Sequence, residues 1–168
     1  MARSGAGTNA LTGDRGKHDM ADLDEIYNTR ILELAGEISR NGRLDSPDAS
    51  ASAHSKLCGS TIDVDVNVAN GRVTDYAHTV KACLLGQAAA SIVAREIVGT
   101  PQNDFHAIAT QMRAMLKDGG PAPTGRWADL AVLEPVRHYK ARHASTLLVF
   151  EAVEKAFAQI DETQTATV

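Results

Sequence analysis

The stretch TIDVDVNVANGRVTDYAHTV, residues 61–80, decides the fold. Its first half alternates four aliphatic residues with polar ones, the pattern of a strand with one buried face. These aliphatic residues are Ile62, Val64, Val66 and Val68. Asn70 and Gly71 supply the two residues of a tight turn, and a second strand follows from Arg72. The sequence therefore predicts an antiparallel hairpin whose apolar face needs a cover.

Helical patterns on both sides of this hairpin provide the cover. Apolar residues recur at helical spacing in four segments, and a fifth is predicted to be a short helix broken at Pro135. The four regular helices are predicted at 21–37, 84–98, 103–117 and 144–160, and the broken one at 127–142. Residues 42–60 are small, polar and turn-forming, which predicts a long loop. The fold class is therefore α+β, a small antiparallel sheet packed against several helices.

The length of 168 residues suits a single domain with its own core. Residues 1–19 are rich in small polar residues without periodicity, so we expect them to be disordered. The domain is predicted to span residues 20–162 and to be followed by a flexible tail, 163–168. Met20 could be the natural start of the chain.

Composition and charge exclude several classes of function. A formal net charge of −4 argues against a nucleic-acid-binding protein, which normally carries a basic surface. The sequence contains no apolar run of the roughly 20 residues that span a bilayer. Its first residues also lack the apolar core of a secretory signal. These features predict a cytoplasmic protein without a membrane segment, in which thiols stay reduced and a structural disulfide is not expected.

The only two cysteines flank the hairpin. Cys58 precedes its first strand, and Cys83 follows its second strand at the start of an alanine-rich helix. A hairpin brings its ends together, so we expect the two thiols to be neighbours. The positive end of a helix dipole favours thiolate at Cys83, and Gly59 leaves room for a bound group at Cys58.

Two interpretations of these thiols remain open on residue chemistry alone. They could be small buried side chains, or they could be reactive thiolates or ligands of a soft metal or an iron–sulfur unit. Two carboxylates on the first strand, Asp63 and Asp65, are expected to face solvent. His78 is expected to be a structural or surface residue.

The segments that hold the cysteines resemble the U-type iron–sulfur cluster assembly scaffolds: the NifU amino-terminal domain, IscU and SufU. DEIYNTRILELA (24–35) is similar to the first helix of this family, and LCGS (57–60) to its first ligand motif. KACLLGQAAASIVAREIVG (81–99) resembles the second motif, and RWADLAVLEPVRHYKARHASTLLVFEAVEKA (126–156) the region around the third cysteine. The resemblance covers roughly residues 22–160 and implies a SufE/NifU-like fold.

The resemblance implies a scaffold or carrier rather than an enzyme. Such proteins receive sulfur from a cysteine desulfurase, accept iron, build a [2Fe–2S] or related cluster and pass it to acceptor apo-proteins. SufU-type members also bind zinc and take sulfur as a persulfide. LEPVR (133–137) distantly resembles the motif by which IscU is held by an Hsp70-type chaperone.

The chain departs from the family pattern at two positions. Ser60 stands where the family usually has aspartate after cysteine-glycine, and the third cysteine, expected at or beside Ala144, is missing. His143 matches the histidine that precedes this cysteine in IscU. The resemblance therefore implies a ligand set of Cys58, Cys83 and His143 for a [2Fe–2S] cluster, for iron or for zinc. A fourth ligand would come from Ser60, water, His54, a partner or a second subunit.

Three hypotheses follow. The first, which we prefer, is a cluster scaffold or carrier. The second is a zinc-supported persulfide acceptor of the SufU type. The third is a degenerate family member that binds the desulfurase as an interaction module, because the third cysteine is lost.

Overall fold

The computed structural model describes residues 27–167, and the side chains of residues 27–165. These residues form an α+β fold in which one antiparallel sheet is packed against helices. The helices are α1 (Thr29–Gly36), α2 (Leu84–Glu96), α3 (Gln102–Asp118) and α4 (His143–Thr167), and the strands are β1 (Ala49–His54), β2 (Thr61–Ala69) and β3 (Arg72–Lys81). Within the described range, no helix has the length and apolar character needed to cross a membrane.

The predicted hairpin is confirmed as β2 and β3. The two strands pair antiparallel from Thr61 opposite Lys81 to Ala69 opposite Arg72. Asn70 and Gly71 form the turn with φ values of 54° and 75°. Positive φ at both turn positions matches the right-handed twist of the strands, and this explains the Asn-Gly pair.

The predicted long loop contains a third strand, so the interpretation of residues 42–60 was wrong in part. β1 pairs antiparallel with β2, which makes the strand order β1-β2-β3. Small residues alternate along β1, and its three alanines are buried while Ser52 and His54 are exposed. Alanine and serine have weak strand preferences, so the composition of this segment suggested a loop. The alternation of alanine with polar residues is the pattern that indicates the strand.

The core lies between one face of the sheet and the helices. Helix α4 packs across β1 and β2, while α2 packs against β3, α4 and α1. Ile62, Val64 and Val66 of β2 are at most 2% exposed, and Phe150 and Phe157 of α4 are fully buried. The apolar face of the hairpin is therefore covered as its alternation predicts.

The helices differ from their predicted bounds at three places. Residues 21–26 of the first predicted helix lie outside the described part of the chain, and the helix there runs over Thr29–Gly36. The segment predicted to break at Pro135 is a continuous 3₁₀ helix, Gly125–His138, which contains that proline. It is followed by a short 3₁₀ turn, Lys140–Arg142, and by α4, which continues to Thr167.

Candidate functional site

The two cysteines lie at the open end of the hairpin, opposite the Asn-Gly turn. The pairing of Thr61 with Lys81 closes this end, and each cysteine stands two or three residues beyond that pair. Cys58 is exposed and Cys83 is half-buried, and both are free thiols. Strand pairing therefore brings them to the same end of the sheet, as the sequence predicts.

Cys58 sits in a tight loop whose ends are held by the backbone. Ser55 N donates to the Ser60 carbonyl at 2.8 Å, and Gly59 N donates to the Ser55 carbonyl at 2.9 Å. Gly59 adopts a φ of 70°, a left-handed conformation that glycine reaches without a steric penalty. The loop thus exposes Cys58 on a defined turn.

Two serine hydroxyls lie beside the sulfur of Cys58. Its Sγ lies 3.5 Å from Ser55 Oγ and 3.0 Å from Ser60 Oγ, and both serines are 4% exposed. Hydrogen bonds from Ser55 and Ser60 lower the pKa of Cys58 to about 7, with a smaller contribution from Ser145, while burial acts in the opposite direction. Hydroxyls donate to thiolate and stabilise it, so the ionised fraction of Cys58 at neutral pH is larger than that of an ordinary thiol.

Cys83 is the residue that precedes α2, as predicted. Its backbone is extended, with φ −66° and ψ 170°, and its carbonyl accepts the first helical hydrogen bond from Gln87 N at 2.9 Å. Its sulfur lies 3.3 Å from Ser145 Oγ, at the start of α4. The first turns of α2 and α4 therefore meet at this thiol.

His143, the third predicted site residue, is oriented by the backbone. Its side chain is largely buried, and Nε2 lies 3.1 Å from the Val136 carbonyl and 3.2 Å from the Arg137 carbonyl. Carbonyls only accept, so Nε2 carries the proton. Within residues 27–165, no three His, Cys, Asp or Glu side chains are grouped so that they could hold a metal ion. The set Cys58, Cys83 and His143 is therefore not assembled here, and His143 as a ligand stays a prediction.

The candidate fourth ligands lie at different places. Ser60 Oγ is in contact with the Cys58 sulfur, whereas His54 is exposed at the end of β1. Ala144 is exposed, and Ser145 next to it is 1% exposed and faces Cys83. Ser145 was not identified from the sequence. The position of the missing third cysteine was placed at or beside Ala144, and only the helix in the structure shows which residue of this turn faces a thiol.

The arrangement fits a metal or cluster only in part. Two thiolates are soft ligands suited to iron, zinc or an iron–sulfur unit, but these sites usually hold four protein ligands. The described residues supply Cys58 and Cys83 together with hydroxyl oxygens from Ser60 and Ser145. The remaining ligands would have to be hydroxyls, water, a rearranged His143 or groups from another molecule.

Comparisons with known proteins agree with this fold. No family model matches the chain. A curated relative, the iron–sulfur cluster assembly scaffold protein IscU of Thermotoga maritima, is 22% identical over 135 residues, which are 80% of this chain and 94% of the relative.

Solved structures extend the comparison. The SufU protein of Fervidobacterium islandicum matches with a TM-score of 0.73 at 16% identity, over 79% of this chain and 97% of that one, which supports the fold alone. The amino-terminal part of a nitrogen-fixing NifU-like protein from Brucella abortus matches with a TM-score of 0.83 and 55% identity, over 84% of this chain and 98% of that one. With this identity over most of both chains, the protein belongs to the IscU/NifU-like scaffold family.

Proposed function

We propose that this protein is an iron–sulfur cluster assembly scaffold or carrier, which binds iron and a nascent [2Fe–2S]-type cluster through Cys58 and Cys83 and passes it to acceptor proteins. The observation that carries the proposal is that both thiols lie at one end of the hairpin, each in contact with a buried serine hydroxyl. Two cysteines with only a packing role would not need an exposed loop or a stabilised thiolate.

The two thiols have different tasks in this proposal. Cys58 is exposed on its loop and partly ionised at neutral pH, so it is the group that incoming iron or sulfur meets first. Cys83 is half-buried at the junction of α2 and α4, which fixes its position. A cluster that is passed on must be bound and also released. A site with only two protein thiolates leaves other coordination positions of the cluster free for ligands from an acceptor.

The test is anaerobic reconstitution with iron, cysteine and a cysteine desulfurase, followed by visible absorption and by iron and sulfide content. Wild type should acquire a cluster, and Cys58→Ser and Cys83→Ser should each lose it while the fold is retained, since serine is close in size. Ser52→Ala is the matched control, because the Ser52 hydroxyl on β1 pairs with Asp63 and is not among the hydrogen-bond partners of the two sulfurs. The proposal would be rejected if the wild-type protein acquired no iron and sulfide in this reconstitution.

A second candidate function is favoured by the lowered pKa of Cys58. An exposed thiolate is a nucleophile, so Cys58 could accept sulfur as a persulfide while zinc stabilises the site. In this step the Cys58 sulfur attacks the outer sulfur of the desulfurase persulfide, a new S–S bond forms, and the desulfurase cysteine leaves as a thiolate. Mass analysis would then find one added sulfur atom on the Cys58 peptide and bound zinc in the purified protein.

The partners follow from the same proposal. They are a cysteine desulfurase and acceptor apo-proteins, in the cytoplasm; the chain itself needs no enzymatic activity. If neither cluster nor persulfide forms, the remaining role is an interaction module for the desulfurase. Recognition of LEPVR by an Hsp70-type chaperone would require opening of the 3₁₀ helix, because Leu133 and Val136 are fully buried.

A further inference from the structure

Ser145 lies beside Cys83 although no sequence motif marks it. It belongs to the first turn of α4, and its side chain is 1% exposed. Its Oγ lies 3.3 Å from Cys83 Sγ and donates to the Arg142 carbonyl at 3.2 Å. Ser145 is also the smallest of the causes that lower the pKa of Cys58. A buried hydroxyl of α4 therefore contacts the thiol that precedes α2.

The packing of α2 on α4 fixes the position of this hydroxyl. Gly86 of α2 faces the backbone of Ser145. A Cβ placed on Gly86 would lie 3.0 Å from the Ser145 carbonyl oxygen and 2.8 Å from the Cβ of Ala82. Contacts this short require movement of the backbone, so glycine is needed for α4 to approach the start of α2. The close approach puts Ser145 beside Cys83.

We propose that Ser145 belongs to the thiol site as a positioning residue, whose buried hydroxyl fixes the Cys83 sulfur at the end of the hairpin that also carries Cys58. A thiol in place of this hydroxyl would lie beside the Cys83 sulfur. The inference rests on the proposed role of the two cysteines, but it concerns the geometry of their sulfurs and is testable without a cluster.

The experiment titrates the metal-free protein with cadmium and follows the ultraviolet sulfur-to-cadmium charge-transfer band, since Cd²⁺ is a soft probe of thiolates. Ser145→Cys should raise the band at saturation about 1.5-fold, in proportion to three thiolates instead of two. Ser145→Ala should keep the band but weaken binding about tenfold, as expected for a lost hydrogen bond to a charged group.

Thr146→Ala is the matched control. Thr146 is also fully buried and also donates to the Arg142 carbonyl, at 2.8 Å, but it is not the residue that contacts the sulfurs. It should bind cadmium like wild type. Gly86→Ala should weaken binding as Ser145→Ala does, whereas Gly36→Ala, where a Cβ meets nothing within 4 Å, should not.

The outcomes separate this inference from the proposed function. An unchanged band in Ser145→Cys, or wild-type affinity in a folded Ser145→Ala, would overturn the role of Ser145, whatever reconstitution with iron shows. Cadmium results as expected, in a wild type that fails to acquire iron and sulfide, would support Ser145 and reject the scaffold proposal. Thermal unfolding of each variant identifies those that fail only because they do not fold.

Discussion

The thiol site and the buried carboxylate of β2 are two polar regions of the same sheet with opposite properties. Asp65 is 1% exposed and accepts four hydrogen bonds, which come from the two nitrogens of Arg43, from Leu44 N and from Ser50 Oγ, at 2.7–3.0 Å. Cys58 is exposed, and its described contacts are serine hydroxyls. The carboxylate has no capacity for another ligand, whereas the thiol does.

The pKa values express the same difference. Burial raises the pKa of Asp65, but the hydrogen bonds from Arg43, Ser50 and Leu44 together outweigh it, so the net shift is downward and the carboxylate stays ionised. Its charge is used to fasten the segment before β1 onto the sheet. A saturated polar group of this kind indicates structure, and an unsaturated one indicates a site.

The largest effect that we expect is on stability, when the buried carboxylate of Asp65 is removed. Asp65→Ala should lower the free energy of unfolding by about 2–4 kcal/mol, because it leaves the half-buried donors of Leu44 and Ser50 without their acceptor. Arg43 is 62% exposed and can return to water, which limits the loss. Urea unfolding followed by circular dichroism measures it.

Asp63→Ala is the matched control on the same face of β2. Asp63 pairs with Ser52 near the surface, so its removal should cost less than about 1 kcal/mol. Both variants, assayed where they are folded, should acquire as much iron and sulfide as wild type. Equal stability of the two variants would contradict a structural role for Asp65.

The two aspartates also show where sequence reasoning reaches its limit. Both were expected to face solvent because they alternate with core residues, and for Asp65 this was wrong. The outer face of β2 is covered there by the segment around Arg43, which the sequence marks only as a polar loop. Alternation predicts which residues share a face, but it does not predict whether a loop covers that face.

The thiol site was also predictable only in part. Hairpin pairing placed Cys58 and Cys83 together because strand register is a local property that Asn70 and Gly71 fix. Ser145 was not predictable, since its position depends on the phase of α4 and on its tight contact with Gly86. The long-range packing of two helices has no signature in either helix alone.

The pH dependence of thiol reactivity tests the properties of Cys58 in the thiol site. The pKa of Cys58 is about 7, so alkylation by iodoacetamide should be half-maximal near pH 7 and level off at higher pH. Below this pKa the rate should fall about tenfold per pH unit, because only the thiolate reacts. Mass spectrometry of the peptides, on metal-free protein, should find Cys58 modified before the half-buried Cys83.

Removal of the stabilising hydroxyls sharpens this result. Ser55→Ala and Ser60→Ala should each shift the midpoint of the Cys58 profile upward, since the hydrogen bonds with both serines lower the pKa of Cys58. Ser50→Ala, which alters the Asp65 region instead, should leave the profile unchanged. A midpoint that ignores Ser55 and Ser60 would mean that the loop does not stabilise the thiolate.

The smallest expected effect concerns His143, which has features of both regions. Its imidazole is buried and bonded to the Val136 and Arg137 carbonyls, like a structural group, yet it stands two residues before Ser145. His143→Ala should lower stability by about 1–2 kcal/mol through the lost hydrogen bonds and leave the absorption spectrum of a reconstituted cluster unchanged. A shifted spectrum or a shortened cluster lifetime would instead make His143 a ligand, through Nδ1, because Nε2 carries the proton that the carbonyls accept.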